Sequence, residues 1–241
     1  MGPSNTRLNA RDNDRLLVIM AKAPRPGRVK TRLAQSLSAE AVAELYRCLL
    51  DDTIALARAL PNVKVAIMCP ESDAEDLVRY AEDRTEVAAQ QGEGLAAGLT
   101  SVFAHFAAPG RNSVIAFNSD SPHLPVSVLA EAFDILDNHD VVVGPTYDGG
   151  YYLVGAKDSH PALFDGNGMG TNSALEALLA RAGRLQLSVG CTDPFYDVDY
   201  EHDLIRLDAE LQVAPARAPR TAAWLKQWHE LLPQPRTAED V

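Results

Sequence analysis

The 241-residue sequence predicts one α/β domain built on a largely parallel sheet. Short apolar runs alternate with segments whose apolar residues recur at helical spacing. The balance of 46% hydrophobic to 23% charged residues is that of an ordinary globular protein, and the length allows one large domain or two small ones.

Leu16 to Ala21 reads as the first strand. Ser38 then caps a long helix carrying Val42, Leu45, Leu49, Leu56 and Leu60, which ends before Pro61. Val63 to Cys69 is the second strand. Glu71, Asp73, Glu75 and Asp76 follow at an expected helix start, where negative charge suits the dipole, and read as a solvated face. A short strand near Glu86 to Gln90 leads through Gln91-Gly92-Glu93-Gly94-Leu95 into a helix with Leu95, Leu99, Val102 and Phe106 on one face. Ser113 to Phe117 is a buried strand, Val126 to Leu136 a helix, and Asp140 to Val143 a strand ended by Gly144-Pro145. Tyr151 to Ala156 is a strand, Ser173 to Ala182 a helix and Leu185 to Val189 a strand. The repeated strand-helix order is a doubly wound pattern. From about Gln212 the composition turns to Ala, Pro and Arg. A short helix then places Trp224 and Trp228 one turn apart, as a docking face for the domain or for a second subunit in a homodimer. The division expected is a flexible tail at 1–14, a domain at 15–211, and a linker with a terminal helix at 212–241.

The 22 basic and 33 acidic residues leave a net charge of -11, so the average field repels nucleic acid and anionic membranes. No apolar run approaches the roughly 20 residues that span a bilayer. The segment from Met1 to Arg15 lacks a signal-peptide core, so the expected location is cytoplasmic. Cys48, Cys69 and Cys191 lack the close spacing of a metal or redox pair and read as reduced, packed thiols.

Four stretches carry chemistry. From Lys22 to Arg32 lie five basic residues with no acid between them, directly after the first strand. Open α/β sheets bind ligands at that carboxyl edge, and convergent cations there can hold a diphosphate; a ligand-free basic loop would look the same by charge alone. Asn118-Ser119-Asp120 ends another strand, where a carboxylate can hold a divalent cation or cap the following helix. Asp197 and Asp199 alternate on an extended segment, so their carboxylates can converge on one ion, with Asp203 farther on; a solvated turn is the alternative. In Gly144-Pro145-Thr146-Tyr147-Asp148-Gly149-Gly150-Tyr151-Tyr152, paired glycines let backbone approach a ligand or simply make a turn.

Together, Lys22 to Leu33, Ser119 to Pro122, Gly144 to Tyr151 and Asp197 to Asp199 resemble, in order, the motifs of a bacterial family catalogued as a domain of unknown function with a glycosyltransferase type A fold. The resemblance spans about Leu16 to Leu211. It implies a single Rossmann-like nucleotide-diphospho-sugar transferase domain, with a mostly parallel mixed sheet and helices on both faces. That family is similar in turn to nucleotidyltransferases such as the guanylyltransferase of coenzyme F420 biosynthesis. By this resemblance Lys22, Pro26, Gly27, Arg28, Lys30, Thr31, Arg32 and Ser119 contact a nucleotide, with Gly92, Gly94 and Leu95 near its base or ribose. Asp120 and Asp199, assisted by Asp197, hold Mg2+ or Mn2+. Asp148, Gly149, Gly150 and Tyr151 face the second substrate. The chain departs from the Asp-x-Asp turn of many type A enzymes at Asn118, and from the family's aromatic position near Gly168-Met169-Gly170.

The leading expectation is a metal-dependent transferase passing a sugar from a nucleoside diphosphate to a small acceptor. Lys30, Arg32 and Asp120 would act on the diphosphate, and Asp148 would serve as general base. The alternatives are a nucleotidyltransferase that releases pyrophosphate and a non-catalytic nucleotide-binding protein.

Overall fold

The computed structural model describes residues 15–81, 85–107, 113–165 and 172–231. The expected tail at 1–14, the Gly168-Met169-Gly170 stretch and residues 232–241 lie outside them.

In chain order the elements are β1 (Arg15–Met20), α1 (Ala39–Arg58), β2 (Val63–Cys69), α2 (Ala74–Leu77), β3 (Glu86–Ala89), α3 (Gly94–Phe106), β4 (Ser113–Asn118), α4 (Val126–Asn138), β5 (Val141–Pro145), β6 (Tyr151–Ala156), α5 (Pro161–Phe164), α6 (Ala174–Arg184), β7 (Val189–Cys191), α7 (Glu201–Val213) and α8 (Pro219–Leu231). Seven strands form one sheet in the order β3-β2-β1-β4-β6-β5-β7. β1 pairs in parallel with β2 and β4, β2 with β3, and β5 with β7; β6 runs antiparallel to β4 and β5. The doubly wound half therefore abuts a hairpin, and the sheet is mixed.

Alternation along the strands explains the layers. In β1, Leu17 and Ile19 meet α1 and α4 in one core, whereas Leu16 and Val18 meet α3, α5 and α6 in another. Both faces are covered, which is why β1 and β4 are continuous apolar runs. A third core lies on the outer side of α1, where Val42, Leu45 and Leu49 pack against Leu204 and Leu207 of α7 and Leu225 and Trp228 of α8. Trp228 is buried within its own chain, stacked 6.3 Å from Trp224. Asp52, buried on α1, fastens α8 by accepting from Thr221 N and Thr221 Oγ1, both at 2.8 Å. That carboxylate serves the helix as its N-terminal cap.

Ser38 caps α1 as expected, accepting from Ala41 N at 3.2 Å. The strand expected at Leu185 to Val189 is displaced to Val189–Cys191. α6 runs on to Arg184, and Gln186 turns the chain at φ 58°. Leu187 N then bonds Ala182 O at 3.0 Å and Gln186 N bonds Gly183 O at 3.1 Å, so the apolar residues after α6 complete a helix stop instead of a strand. Cys69 is buried, but Cys191 is exposed on the edge strand rather than packed. No helix among the described residues is long and apolar enough to cross a membrane.

His123, fully buried and 4.4 Å from the Tyr196 ring, has no hydrogen-bond partner on either ring nitrogen among the described residues. Burial, with Arg217 and Arg206 adding to it, pulls its pKa down to about 3 from an ordinary 6.5. The unfolded imidazole protonates near pH 6.5 while the folded one stays neutral, so stability is full above that pH and falls as pH drops toward 3. His123→Leu should therefore flatten the pH dependence of urea unfolding between pH 6 and 4, by about 1.4 kcal/mol per pH unit in the lower part of this window. An unchanged slope would show that His123 does not titrate with unfolding.

Candidate functional site

β1, β2 and β4 end level with one another, Met20 standing beside Met68 and Asn118. The basic loop leaves this edge and is pinned at several points. Lys22 N donates to the Tyr46 hydroxyl at 3.0 Å, and Ala23 N donates to Asp73 Oδ2 at 2.9 Å. Arg25 reaches Asp73 at 3.2 Å and Asp76 at 2.6 Å. Val29 and Leu33 are buried anchors farther along. Pro26 and Gly27 form the exposed tip, Gly27 at φ 72°, and shape the loop rather than line the cleft beneath it. Asp73 and Asp76 are thus loop supports, which corrects their reading as a solvated face. The signal was topological: β2 lies beside β1 in parallel, so acids following β2 meet cations following β1.

Asp120 leaves β4 in a turn braced by Asn118, whose Oδ1 accepts from Asp120 N at 3.4 Å and whose Nδ2 donates to Ser121 Oγ at 3.2 Å. Asn118 shapes the turn that presents the carboxylate. Ser119 is buried, its hydroxyl 2.8 Å from that of Tyr46. Asp120 does not cap α4, which starts only at Val126. Val198 N donates to Asp120 O at 3.3 Å, stitching the Asp197 to Asp199 segment alongside. Val198 is buried in the third core, leaving its two acidic neighbours to the cleft. Asp203 faces its own helix, accepting from Asp199 N at 3.1 Å and Tyr200 N at 2.8 Å.

Asp120, Asp197 and Asp199 each bring a carboxylate oxygen within 4.8 Å of the others. Three hard oxygen donors at that spacing suit a divalent cation. Lys30 Nζ stands 2.7 Å from Asp120 Oδ2 and 2.8 Å from Asp199 Oδ1, and Arg32 pairs with the other oxygen of Asp199. Tyr200 lies 5.2 Å over the Arg32 guanidinium. Burial works against the charge on Lys30, but Asp120 and Asp199 outweigh it and raise its pKa. Burial also opposes ionisation of Asp199, yet Lys30 and Arg32 hold its carboxyl below the usual range. Asp197 has no such pairing among the described residues: burial, reinforced by Asp120 and Asp199 against the pull of Lys30, pushes it up to about 6.

In the fourth motif, Asp148 Oδ1 takes the Thr146 hydroxyl at 2.5 Å and Gly150 N at 3.2 Å. Gly149, at φ 89°, has Asn172 O 2.0 Å from where a Cβ would stand, so it admits the start of α6 rather than a ligand. Asp148, Gly150 and Tyr151 line an inner lobe of the cleft with Leu95, Asp120, Asp197 and Asp199. Lys22, Lys30, Thr31, Arg32, Ser119 and Asp120 line a middle lobe. Lys22 and Arg28, with Gly92, Gly94 and Leu95, line an outer lobe of about 840 Å³, within the range of small-molecule sites. Met20 borders all three lobes.

Of the five loop cations, Arg25, Lys30 and Arg32 are spent on acids. Lys22 and Arg28 have no acidic partner within ion-pair distance among the described residues. Sequence reasoning missed Tyr46 and Asp73, and also Gln90, whose Nε2 donates to Gly92 O at 2.8 Å and Gly94 O at 3.3 Å and holds the glycine turn. Tyr46 carries no sequence signal, because an aromatic beside Leu45 in an apolar stripe reads as core.

Residues 53–171 match the family described as "Uncharacterized protein conserved in bacteria (DUF2064)". This is the family whose motifs the sequence resembles. The Ser119 and Gly144 motifs fall inside the match; the basic loop and the Asp197 segment lie beyond it. Among solved structures, the chain is similar to a candidate nucleotide-diphospho-sugar transferase from Desulfovibrio desulfuricans G20, at 29% identity and a TM-score of 0.82, over 91% of this chain and 96% of that one. Rv0371c of Mycobacterium tuberculosis H37Rv shares the fold at 19% identity and a TM-score of 0.53, over 80% of this chain and 97% of that one. So does the 4-diphosphocytidyl-2C-methyl-D-erythritol synthase of Anaerococcus prevotii DSM 20548, at 13% identity and 0.53, over 84% and 98%. No curated protein sequence matches the chain. The fold is that of the nucleotide-diphospho-sugar transferases.

Tyr46→Phe should keep this fold but leave the Lys22 N–H and the Ser119 hydroxyl short of a partner. Urea unfolding should register a loss of about 1 to 3 kcal/mol. A loss within error would remove Tyr46 as the joint between the two turns.

Proposed function

We propose that the protein is a metal-dependent transferase using a nucleotide-activated donor, passing a sugar from a nucleoside diphosphate to a small acceptor. The observation that carries this reading is the division of the cleft: at one end Lys22 and Arg28, which have no acidic partner among the described residues, and toward the other three converging carboxylates. In this reading the outer lobe takes the nucleoside, with the turn from Gly92 to Leu95 against it. Lys22 and Arg28 hold the phosphates, each worth roughly 4 kcal/mol at 4 Å and an effective dielectric near 20. Asp120, Asp197 and Asp199 would hold Mg2+ or Mn2+, which supplies charge neutralisation at the departing diphosphate. Arg32, partly exposed beside Asp199, faces the same developing charge. Asp148, at the wall of the inner lobe, is assigned to the acceptor as general base. The Desulfovibrio relative's description supports a nucleotide-diphospho-sugar donor.

One observation favours a second use of the same machinery. The outer lobe sets Lys22 and Arg28, without an acidic partner among the described residues, beside a glycine turn, which also suits a nucleoside triphosphate whose α-phosphate is attacked by a phosphorylated molecule.

A thermal-shift panel of nucleoside di- and triphosphates and nucleotide sugars, with and without Mn2+, tests the shared premise. Binding at about 100-fold saturation should add about 2.7 kcal/mol of stability. No response to any nucleotide would defeat both enzyme readings. Pyrophosphate release from a triphosphate would favour nucleotidyl over glycosyl transfer, and binding without turnover on any acceptor would make the protein a non-catalytic binder. Asp120→Ala should abolish turnover in a chain that still folds but melts lower, because the buried Lys30 ammonium loses one of its two carboxylates, and full activity in that variant would exclude Asp120 from the site.

A further inference from the structure

Lys30 stands apart from the other loop cations. Its side chain is 5% exposed, against 49% for Arg32, and its ammonium lies within hydrogen-bond distance of two of the three clustered carboxylates. Its backbone is left-handed at φ 44°, a region unfavourable to any residue with a Cβ. Leu33 N bonds Lys30 O at 2.9 Å, so the loop turns at this residue to drive the side chain inward. The result is a cation of the protein's own, held where the three carboxylates converge.

An ammonium and a divalent metal compete for those oxygens. The two N–H groups of Lys30 that meet Asp120 and Asp199 each occupy a lone pair that a metal could take, and the two positive charges repel. Lys30 also lines the middle lobe with Lys22 and Thr31, on the path between the carboxylates and the phosphate end of the cleft.

We propose that Lys30 is a resident counter-ion that exchanges with the divalent metal: it holds Asp120 and Asp199 together until the metal arrives, then yields their oxygens and turns its ammonium to the nucleotide phosphates. This rests on the metal reading above and adds to it a coupling between two sites. Without exchange, Lys30 is spent on carboxylates and unavailable to phosphate. With exchange, metal and nucleotide each favour the state the other requires, so each strengthens the other's binding by the same factor. The left-handed backbone is the strained element that such a two-state residue carries. Arg32 stays with Asp199 in both states, so that carboxylate is never left without a cation.

The test measures Mn2+ binding to the full chain, without nucleotide, by electron paramagnetic resonance of free Mn2+. Lys30→Met removes the competing charge and should bind Mn2+ at least about tenfold tighter than wild type, given the repulsion between unit charges a few ångström apart. Equal or weaker binding would overturn the exchange while leaving the metal site standing. Failure of both proteins to bind Mn2+ or Mg2+ would overturn the exchange together with the metal reading. A second measurement needs no substitution. The buried ammonium should give a slowly exchanging 15Nζ resonance in the wild type, and diamagnetic Mg2+ at saturation should shift or broaden it. A Lys30 resonance unmoved at saturating Mg2+ would overturn the proposal even if the variant failed to fold.

Discussion

The candidate site depends on one buried ionic contact, that of Lys30 with Asp120 and Asp199. It joins the loop after β1, the turn after β4 and the segment before α7, none of which is held to the others by strand pairing alone. Burying such charges costs several kcal/mol per ion, and mutual attraction offsets this only when lone pairs and protons are matched. Here they are: the ammonium meets two carboxylates, and Asp199 also takes Arg32. Removing either side would leave an uncompensated charge, so the three segments keep their places together.

The remaining architecture serves to bring those segments into register. Val198, between the two acids, is buried against α1, α7 and α8, and this orients Asp197 and Asp199. Asp52 fastens α8 to α1, and Tyr46, six residues earlier on that helix, braces both Lys22 N and Ser119. α1 is therefore a two-sided strut, its inner face supporting the sheet edge and its outer face carrying the clasp that holds the acids. A helix whose apolar residues served only one core could not do both.

This division explains what was legible in the sequence. Strands buried on both faces announce themselves as apolar runs, so β2 and β6 were read to the residue and β1 and β4 to within one. β7 was misplaced because Leu185 and Leu187 are apolar for another reason, the covering of a helix end turned by Gln186. The four motifs were legible because a basic run and paired acids are local features, and residues from all four line the same cleft. Which cations are already neutralised is not local. Arg25 and Arg28 differ by three positions and look alike in the sequence, yet one is anchored to Asp73 and Asp76 and the other faces the outer lobe. Only the adjacency of β1 and β2 decides that difference.

The net charge of -11 describes the surface average and misdescribes the cleft. There the acids are of two kinds. Asp73 and Asp76 neutralise Arg25 and hold the loop's shape. Asp120, Asp197 and Asp199 form a nest in which Lys30 and Arg32 balance two charges, and Asp197 is pushed up to about 6 by burial ahead of its acidic neighbours. A dication placed in that nest would find a third carboxylate that neither Lys30 nor Arg32 pairs with among the described residues, while the displaced ammonium moved toward phosphate. The acidic surplus would then cease to oppose an anionic substrate: carboxylates that repel a nucleotide when bare would, once they carried a cation, be largely neutralised, leaving the loop cations to set the local field.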